Sequence, residues 1–280
     1  MKLELRKFDM ADFKDGSTCL VCAKRGGGKS TLIGSIFKHH KDWPAGIVIS
    51  PTERANHHYE QFIPKFLIYD KYDRDILARF VQRQHQITDQ RNEEIKRYGR
   101  SDIDNRAFLI MDDCLYDKSW VTDPSILEIF YNGRHFAVTF IIAMQYPMGI
   151  PPHLRANLDY VFILRENVIK NRERLYNQYA GMFTTFQVFC QVMDVCTANY
   201  HMLVINNKTH SNKLTDQVFW YKADMDMNFR VCSKELWDMQ AMYDEKKALG
   251  LTQEEDDEED YNPEAFLKKG PRIKVRRAER

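Results

Sequence analysis

The 280 residues carry 44% hydrophobic and 29% charged side chains at a formal net charge of +1, ordinary globular material for one α/β domain with additions. That balance excludes a wholesale basic chain, so any nucleic-acid surface has to be local. No stretch approaches the roughly 18 consecutive apolar residues of a membrane span, and MKLELRKFDM lacks the apolar core of a signal peptide, so the chain is expected not to be transmembrane itself.

In chain order, the first predicted element is a short apolar strand over residues 18–23 (TCLVCA). Its Cys19 and Cys22 form a CxxC, but odd spacing on a strand turns them to opposite faces, and no second CxxC exists to complete a zinc site. The six cysteines lie mostly in apolar runs, as reduced thiols of a reducing compartment do.

Directly after the strand comes AKRGGGKST, residues 23–31. The phosphate-loop pattern is G-x-x-x-x-G-K-[ST]; Gly28, Lys29 and Ser30 fill its second half, and Ala23 replaces the first glycine. A helix follows over 30–40, with Leu32, Ile33, Ile36 and Phe37 at helical spacing, so the loop has the strand–loop–helix setting it needs. Gly26, Gly27 and Gly28 can take positive φ and turn backbone N–H groups onto a polyanion, helped by the positive helix end. The cradle comprises Ala23, Lys24, Arg25, Gly26, Gly27, Gly28, Lys29, Ser30 and Thr31. Lys29 would reach the β- and γ-phosphates of ATP, and Ser30 would place its hydroxyl on Mg²⁺. The alternative is a surface turn whose glycines merely break a helix.

A strand over 47–50, an edge strand over 66–69 and a long polar helix or helix pair over 73–98 come next. Residues 108–113 (FLIMDD) are an apolar run ending in two carboxylates, expected of a buried parallel strand opening at its carboxyl end. Asp112 suits the Mg²⁺ shell; Asp113, next along and expected on the other side, suits polarisation of an attacking water. A helix over 125–131 leads to a strand over 138–144 (VTFIIAM), which ends in Gln145 beside the expected γ-phosphate. Strands over 160–164, 202–205 and 218–221 and helices within 169–198 complete the alternation, which favours a mainly parallel sheet with helices on both faces. The pairs His39-His40 and His57-His58 have no partner at ligand spacing and read as solvated helix or loop histidines. Residues 251–280, an acidic block followed by a Lys/Arg-dominated stretch, read as a disordered tail beside a single domain over 1–250.

The set A-x-x-x-x-G-K-S, hydrophobic-DD, Asn132-Gly133-Arg134-His135 leading into a Gln145-ended strand, then P-x-x-x-R-x-N resembles the FtsK/HerA superfamily of DNA-pumping ATPases. With the SPTE segment at 50–53 it looks most like the poxvirus-type genome-packaging ATPases of large DNA viruses. The resemblance spans roughly residues 15–210 and rests chiefly on the Gln-ended strand and its preceding arginine.

It implies an α/β, RecA-like P-loop NTPase (ASCE) core hydrolysing ATP with Mg²⁺, assembled as a pentameric or hexameric ring around double-stranded DNA that it moves regardless of sequence. It further implies a capsid or inner-membrane docking component and a location in the host cytoplasm, at the viral factory, or in the virion. In such rings one subunit's arginine completes the next subunit's site, because charge developing on the transferred phosphoryl oxygens needs a fixed cation. Arg134 matches best, then Arg155, then Arg25; each can instead be a surface arginine paired with a carboxylate. Asp113 stands where many relatives carry Glu, so a shorter carboxylate must hold the water. Lys96, Arg97, Arg100 and Arg106 can line a DNA pore, but they alternate with Glu93, Glu94, Asp102 and Asp104, which favours a solvated helix end. A cellular-type helicase or conjugation motor, and a non-motor switch or kinase, remain the alternatives.

Overall fold

The computed structural model describes residues 3–114, 118–146 and 148–249. Its strands are β1 (Thr18–Cys22), β2 (Ala45–Ile49), β3 (Ile68–Tyr69), β4 (Ala107–Asp112), β5 (Val138–Met144), β6 (Tyr160–Ile163), β7 (His201–Asn206) and β8 (Val218–Lys222). The helices are α1 (Lys29–His39), α2 (Glu53–Asn56), α3 (Arg74–Tyr98), α4 (Pro124–Asn132), α5 (Pro152–Arg155), α6 (Ile169–Tyr179), α7 (Phe186–Cys196), α8 (Leu214–Gln217) and α9 (Lys234–Ala248).

Among the described residues the strands form one eight-stranded sheet in the order β3-β2-β4-β5-β1-β6-β7-β8. Pairing is parallel from β3 through β6 and antiparallel for β6–β7 and β7–β8, so the expected α/β, mostly parallel sheet is what the chain forms. Strands β1, β2, β4, β5 and β6 are buried at every position, which explains their unbroken apolar sequences: both faces lie under helices. The edge strand β8 is only partly buried: Val218 and Tyr221 are buried, while Lys222 is exposed. Register adds a steric constraint at Gly46, opposite Phe108: a Cβ there would meet the Phe108 ring at 2.4 Å, so only glycine fits.

β1 sits at the crossover centre of the sheet. The chain leaves it through α1 to reach β2, three strands away on one side, while β6 lies on its other side. Such a switch point opens a crevice at the carboxyl ends of the strands, where open α/β sheets bind ligands.

The long polar segment is one helix. Asp73 caps α3 by accepting hydrogen bonds from the backbone of Asp75 and Ile76, and Gly99 ends it with φ of 74°. Its buried residues stop at Thr88, so Lys96 and Arg97 in its last turn are exposed, as is Arg100 just beyond it. The edge strand is shorter than the sequence suggests, because residues 65–67 tighten into a 3₁₀ turn before β3. Helix α9 has no counterpart in the sequence reading: it buries only Leu236 and Gln240, too few to set an apolar period. The expected charged tail lies outside the described residues.

Candidate functional site: a phosphate loop facing an acid pair

The loop after β1 turns tightly, with the Gly27 amide donating to the Lys24 carbonyl at 3.0 Å. Gly26 and Gly28 hold φ of 71° and 100°, so the expectation of positive φ is met at these two and not at Gly27. Gly28 is the N-cap of α1 and has no side chain to offer; the first amides of that helix are left for an anion.

Lys29 points inward and is 7% exposed. Its ammonium donates a hydrogen bond to Asp113 Oδ1 and stands 3.6 Å from Asp112 Oδ1. Gln145 Nε2 donates to the other Asp113 oxygen at 3.0 Å. Four residues from two strand ends, β4 and β5, and one helix start, α1, therefore meet at the carboxyl edge.

The two aspartates do not divide as strand alternation suggests. Asp113 lies one residue past β4 with φ of 56°, and this left-handed step swings its carboxylate back toward Lys29, alongside Asp112 rather than opposite to it. Two carboxylates thus share one ammonium. Burial raises the Asp112 pKa, the Asp113 charge raises it further, and Lys29 works against both. Asp112 is 3% exposed, and its Oδ1 has no hydrogen-bond partner. A buried carboxylate oxygen left bare beside surplus negative charge is what a hard divalent cation would satisfy. Among the described residues no group of three or more His, Cys, Asp or Glu side chains gathers to hold a metal alone. A cation here would have to draw its other ligands from Ser30, water and phosphate, which fits Mg²⁺.

The remaining loop residues are tied to the neighbouring strand end. Lys24 pairs with the buried Glu166 at 2.5 Å, just past β6, while Arg25 is exposed. Ala23 and Lys24 line a small recess with Cys22, Gln145, Leu164 and Arg165. Cys19 and Cys22 are both buried, and burial pushes the Cys22 thiol up to about 12, so neither is a ready thiolate ligand.

The arginine candidates separate. Arg134 is exposed on the 3₁₀ turn Gly133–Phe136 that precedes β5. It lies at the amino end of that strand, roughly 20 Å of extended chain from Gln145, so it cannot serve its own site. Arg155 spends its Nη1 on the Ile150 carbonyl at 3.0 Å, bracing the segment that follows Gln145. Arg106 is enclosed by Asp104, Asp42 and Asp15 at 2.7, 2.8 and 3.4 Å, which removes it from the DNA-contact candidates. Arg97 pairs with Glu93 at 3.2 Å, as a solvated helix end does.

Two histidines correct the solvated reading. His40 stacks on Trp43 at 4.6 Å, and His58 Nε2 contacts the Ser30 carbonyl at 3.1 Å. The adjacent Tyr59, 1% exposed, donates its hydroxyl hydrogen to Asp112 Oδ2 at 2.9 Å. Neither His58 nor Tyr59 was a sequence candidate; the available signal was the SPTE segment just ahead of them.

No family model matches the chain. It is 38% identical over 243 residues to uncharacterized protein L437 of Acanthamoeba polyphaga mimivirus, covering 86% of this chain and 84% of the relative. It is 37% identical over 229 residues to uncharacterized protein 088R of invertebrate iridescent virus 3, covering 80% and 83%. It is 30% identical over 250 residues to uncharacterized protein 015R of frog virus 3, covering 84% and 74%. Among solved structures, the genome-packaging NTPase B204 of Sulfolobus turreted icosahedral virus 2 aligns over 75% of this chain and 98% of its own, at 14% identity and a TM-score of 0.48. The pCW3 conjugation coupling protein TcpA aligns over 82% and 66%, at 11% identity and 0.49. The chain belongs to the large-DNA-virus family that L437, 088R and 015R define.

Proposed function

We propose that residues 1–250 act as one Mg²⁺-dependent ATPase domain that drives double-stranded DNA, regardless of sequence, into the capsid of a large DNA virus. The observation that carries this reading is the meeting of Lys29, Asp112, Asp113 and Gln145 at one sheet edge, in front of a glycine-capped helix start.

In this reading the phosphates of ATP lie on the amides of residues 26–31, and Lys29 exchanges its Asp113 partner for the γ-phosphate. Asp113, released from the ammonium, accepts a proton from the attacking water, while Gln145 holds its other oxygen and senses the phosphate. Asp112 Oδ1 and the Ser30 hydroxyl would hold Mg²⁺, which would supply charge neutralisation at the phosphates.

In this reading the exposed Arg134, remote from its own Lys29, completes a neighbour's site in a pentameric or hexameric ring; its exposure on the turn before β5 supports that role. Exposed Lys96 and Arg100 remain available for phosphate-backbone contact. Among the described residues no helix is long and apolar enough to cross a membrane, which suits a motor that docks on a capsid or membrane component at the viral factory or in the virion.

The test is steady-state ATP hydrolysis with and without long duplex DNA, paired with particle mass in an ATP analogue. Strong stimulation by DNA together with a ring supports the motor. An unstimulated monomer that still hydrolyses or binds nucleotide favours the switch or kinase alternative.

A further inference from the structure

The segment between β2 and β3 touches both proposed cation ligands from consecutive residues. Tyr59 holds Asp112 Oδ2 at 2.9 Å, and His58 holds the Ser30 carbonyl at 3.1 Å. A carbonyl only accepts, so His58 carries its hydrogen on Nε2. The SPTE motif folds this segment: Ser50 and Thr52 share a hydroxyl contact at 3.2 Å, and the buried Glu53 accepts the Glu60 amide at 2.9 Å, closing a loop that delivers residues 58 and 59. His58 is further wedged edge-on against Tyr59 and Phe62 at 5.0 and 5.5 Å.

We propose that His58 and Tyr59 are the positioning residues of the divalent-cation site, the phenol selecting which Asp112 oxygen stays bare and the imidazole fixing the helix turn that bears Ser30. This rests on the ATPase reading above. The terminal torsion of an aspartate is broad, so an unheld carboxylate would spread its two oxygens over many orientations. One donor on Oδ2 removes that freedom and leaves Oδ1 facing Lys29.

Two features distinguish positioning from mere satisfaction of buried polar groups. A pair built only for stability would give each carboxylate oxygen a hydrogen bond, yet Asp112 Oδ1 has only the Lys29 ammonium 3.6 Å away while Tyr59 is fully served. The Ser30 carbonyl lies in the first turn of α1, where the helix supplies its own amide four residues on, so the His58 contact is surplus to backbone pairing. Both contacts instead set the distance between the start of α1 and the end of β4, the two elements a shared cation has to bridge.

The experiment uses the full chain and two titrations: a fluorescent ATP analogue in EDTA, and Mn²⁺ followed by paramagnetic resonance with ADP present. For Tyr59→Phe the metal-free nucleotide affinity is expected to stay within twofold of wild type, while Mn²⁺ affinity falls about tenfold, the range for residues that orient metal ligands. His58→Ala, at a half-buried position, is expected to weaken Mn²⁺ several-fold by loosening Ser30, and it serves as the test if Tyr59→Phe does not fold. Adding Tyr59→Phe to Asp112→Asn should cost nothing further, because the oxygen it orients is gone. Unchanged Mn²⁺ affinity in the folded single variants, or equal loss in the Asp112→Asn background, would overturn the proposal. Failure of the wild type to bind nucleotide and Mn²⁺ together would instead overturn the ATPase reading itself.

Discussion

Both edges of the sheet carry a charged cluster, and they are built differently. At the amino edge, Arg106 is ringed by Asp104, Asp42 and Asp15, and Asp15 also accepts from Trp43 Nε1 at 2.6 Å and pairs with His40 at 3.3 Å. At the carboxyl edge, Asp112 and Asp113 share the single ammonium of Lys29, the Asp112 oxygen nearer to it has no hydrogen bond, and the loop in front has no side chain at its cap. The amino-edge cluster is closed on itself and holds elements together. The carboxyl-edge cluster is short of positive charge and of donors and acceptors, and that deficit marks where a ligand has to enter.

The comparison breaks if variants at the two edges behave alike. The largest expected effect is from Lys29→Ala, which should abolish nucleotide binding and lower ATP turnover about a hundredfold or more, read by analogue titration and phosphate release. Next, Asp113→Asn should keep analogue binding but lose about 10²- to 10⁴-fold in turnover, since the proton acceptor is gone while the phosphate cradle stays. Arg134→Ala should likewise bind and not turn over, and mixing it with Asp113→Asn subunits should restore activity; absence of that rescue removes Arg134 from a role in trans.

Smaller effects belong to the amino edge. Arg106→Met should lower the melting temperature by about 2–4 °C, the shift expected for about 1 kcal/mol in a chain of this size, with turnover kept within twofold. Asp15 sharpens the contrast through pH. The hydrogen bond from His40, with help from Trp43 and the charges of His40 and Arg106, outweighs burial and lowers its pKa from 3.8 to about 2. A depressed carboxylate stabilises the fold above its unfolded pKa and loses that contribution as pH falls through the folded value. Asp15→Asn should therefore melt a few degrees below wild type near neutrality, the effect being limited by solvent screening at a partly exposed site. The gap should close as pH falls from about 4 toward 2; a gap independent of pH would show that packing rather than charge is responsible.

Much of the carboxyl edge is legible in the sequence because its elements are buried on both faces. β1, β4 and β5 read as unbroken apolar runs, and each run ends where chemistry begins, at Ala23, Asp112 and Gln145. The orientation of Asp113 is not legible, since alternation fails at the first residue with positive φ. The Tyr59 contact with Asp112 spans 53 positions and depends on the path of an irregular loop, which no periodicity encodes. His40 and His58 look solvated because their partners, Asp15 and Ser30, are brought by other elements. The amino-edge cluster is hidden for the same reason, as Arg106 gathers acids from three separate stretches.

The most direct test of the central claim is a structure of the chain with a non-hydrolysable ATP analogue and Mg²⁺. The account predicts the γ-phosphate on Lys29, the ammonium withdrawn from Asp113, and the bare Asp112 oxygen turned to the cation. An analogue bound away from the loop after β1, or one seated there with Lys29 still paired to Asp113, would contradict it.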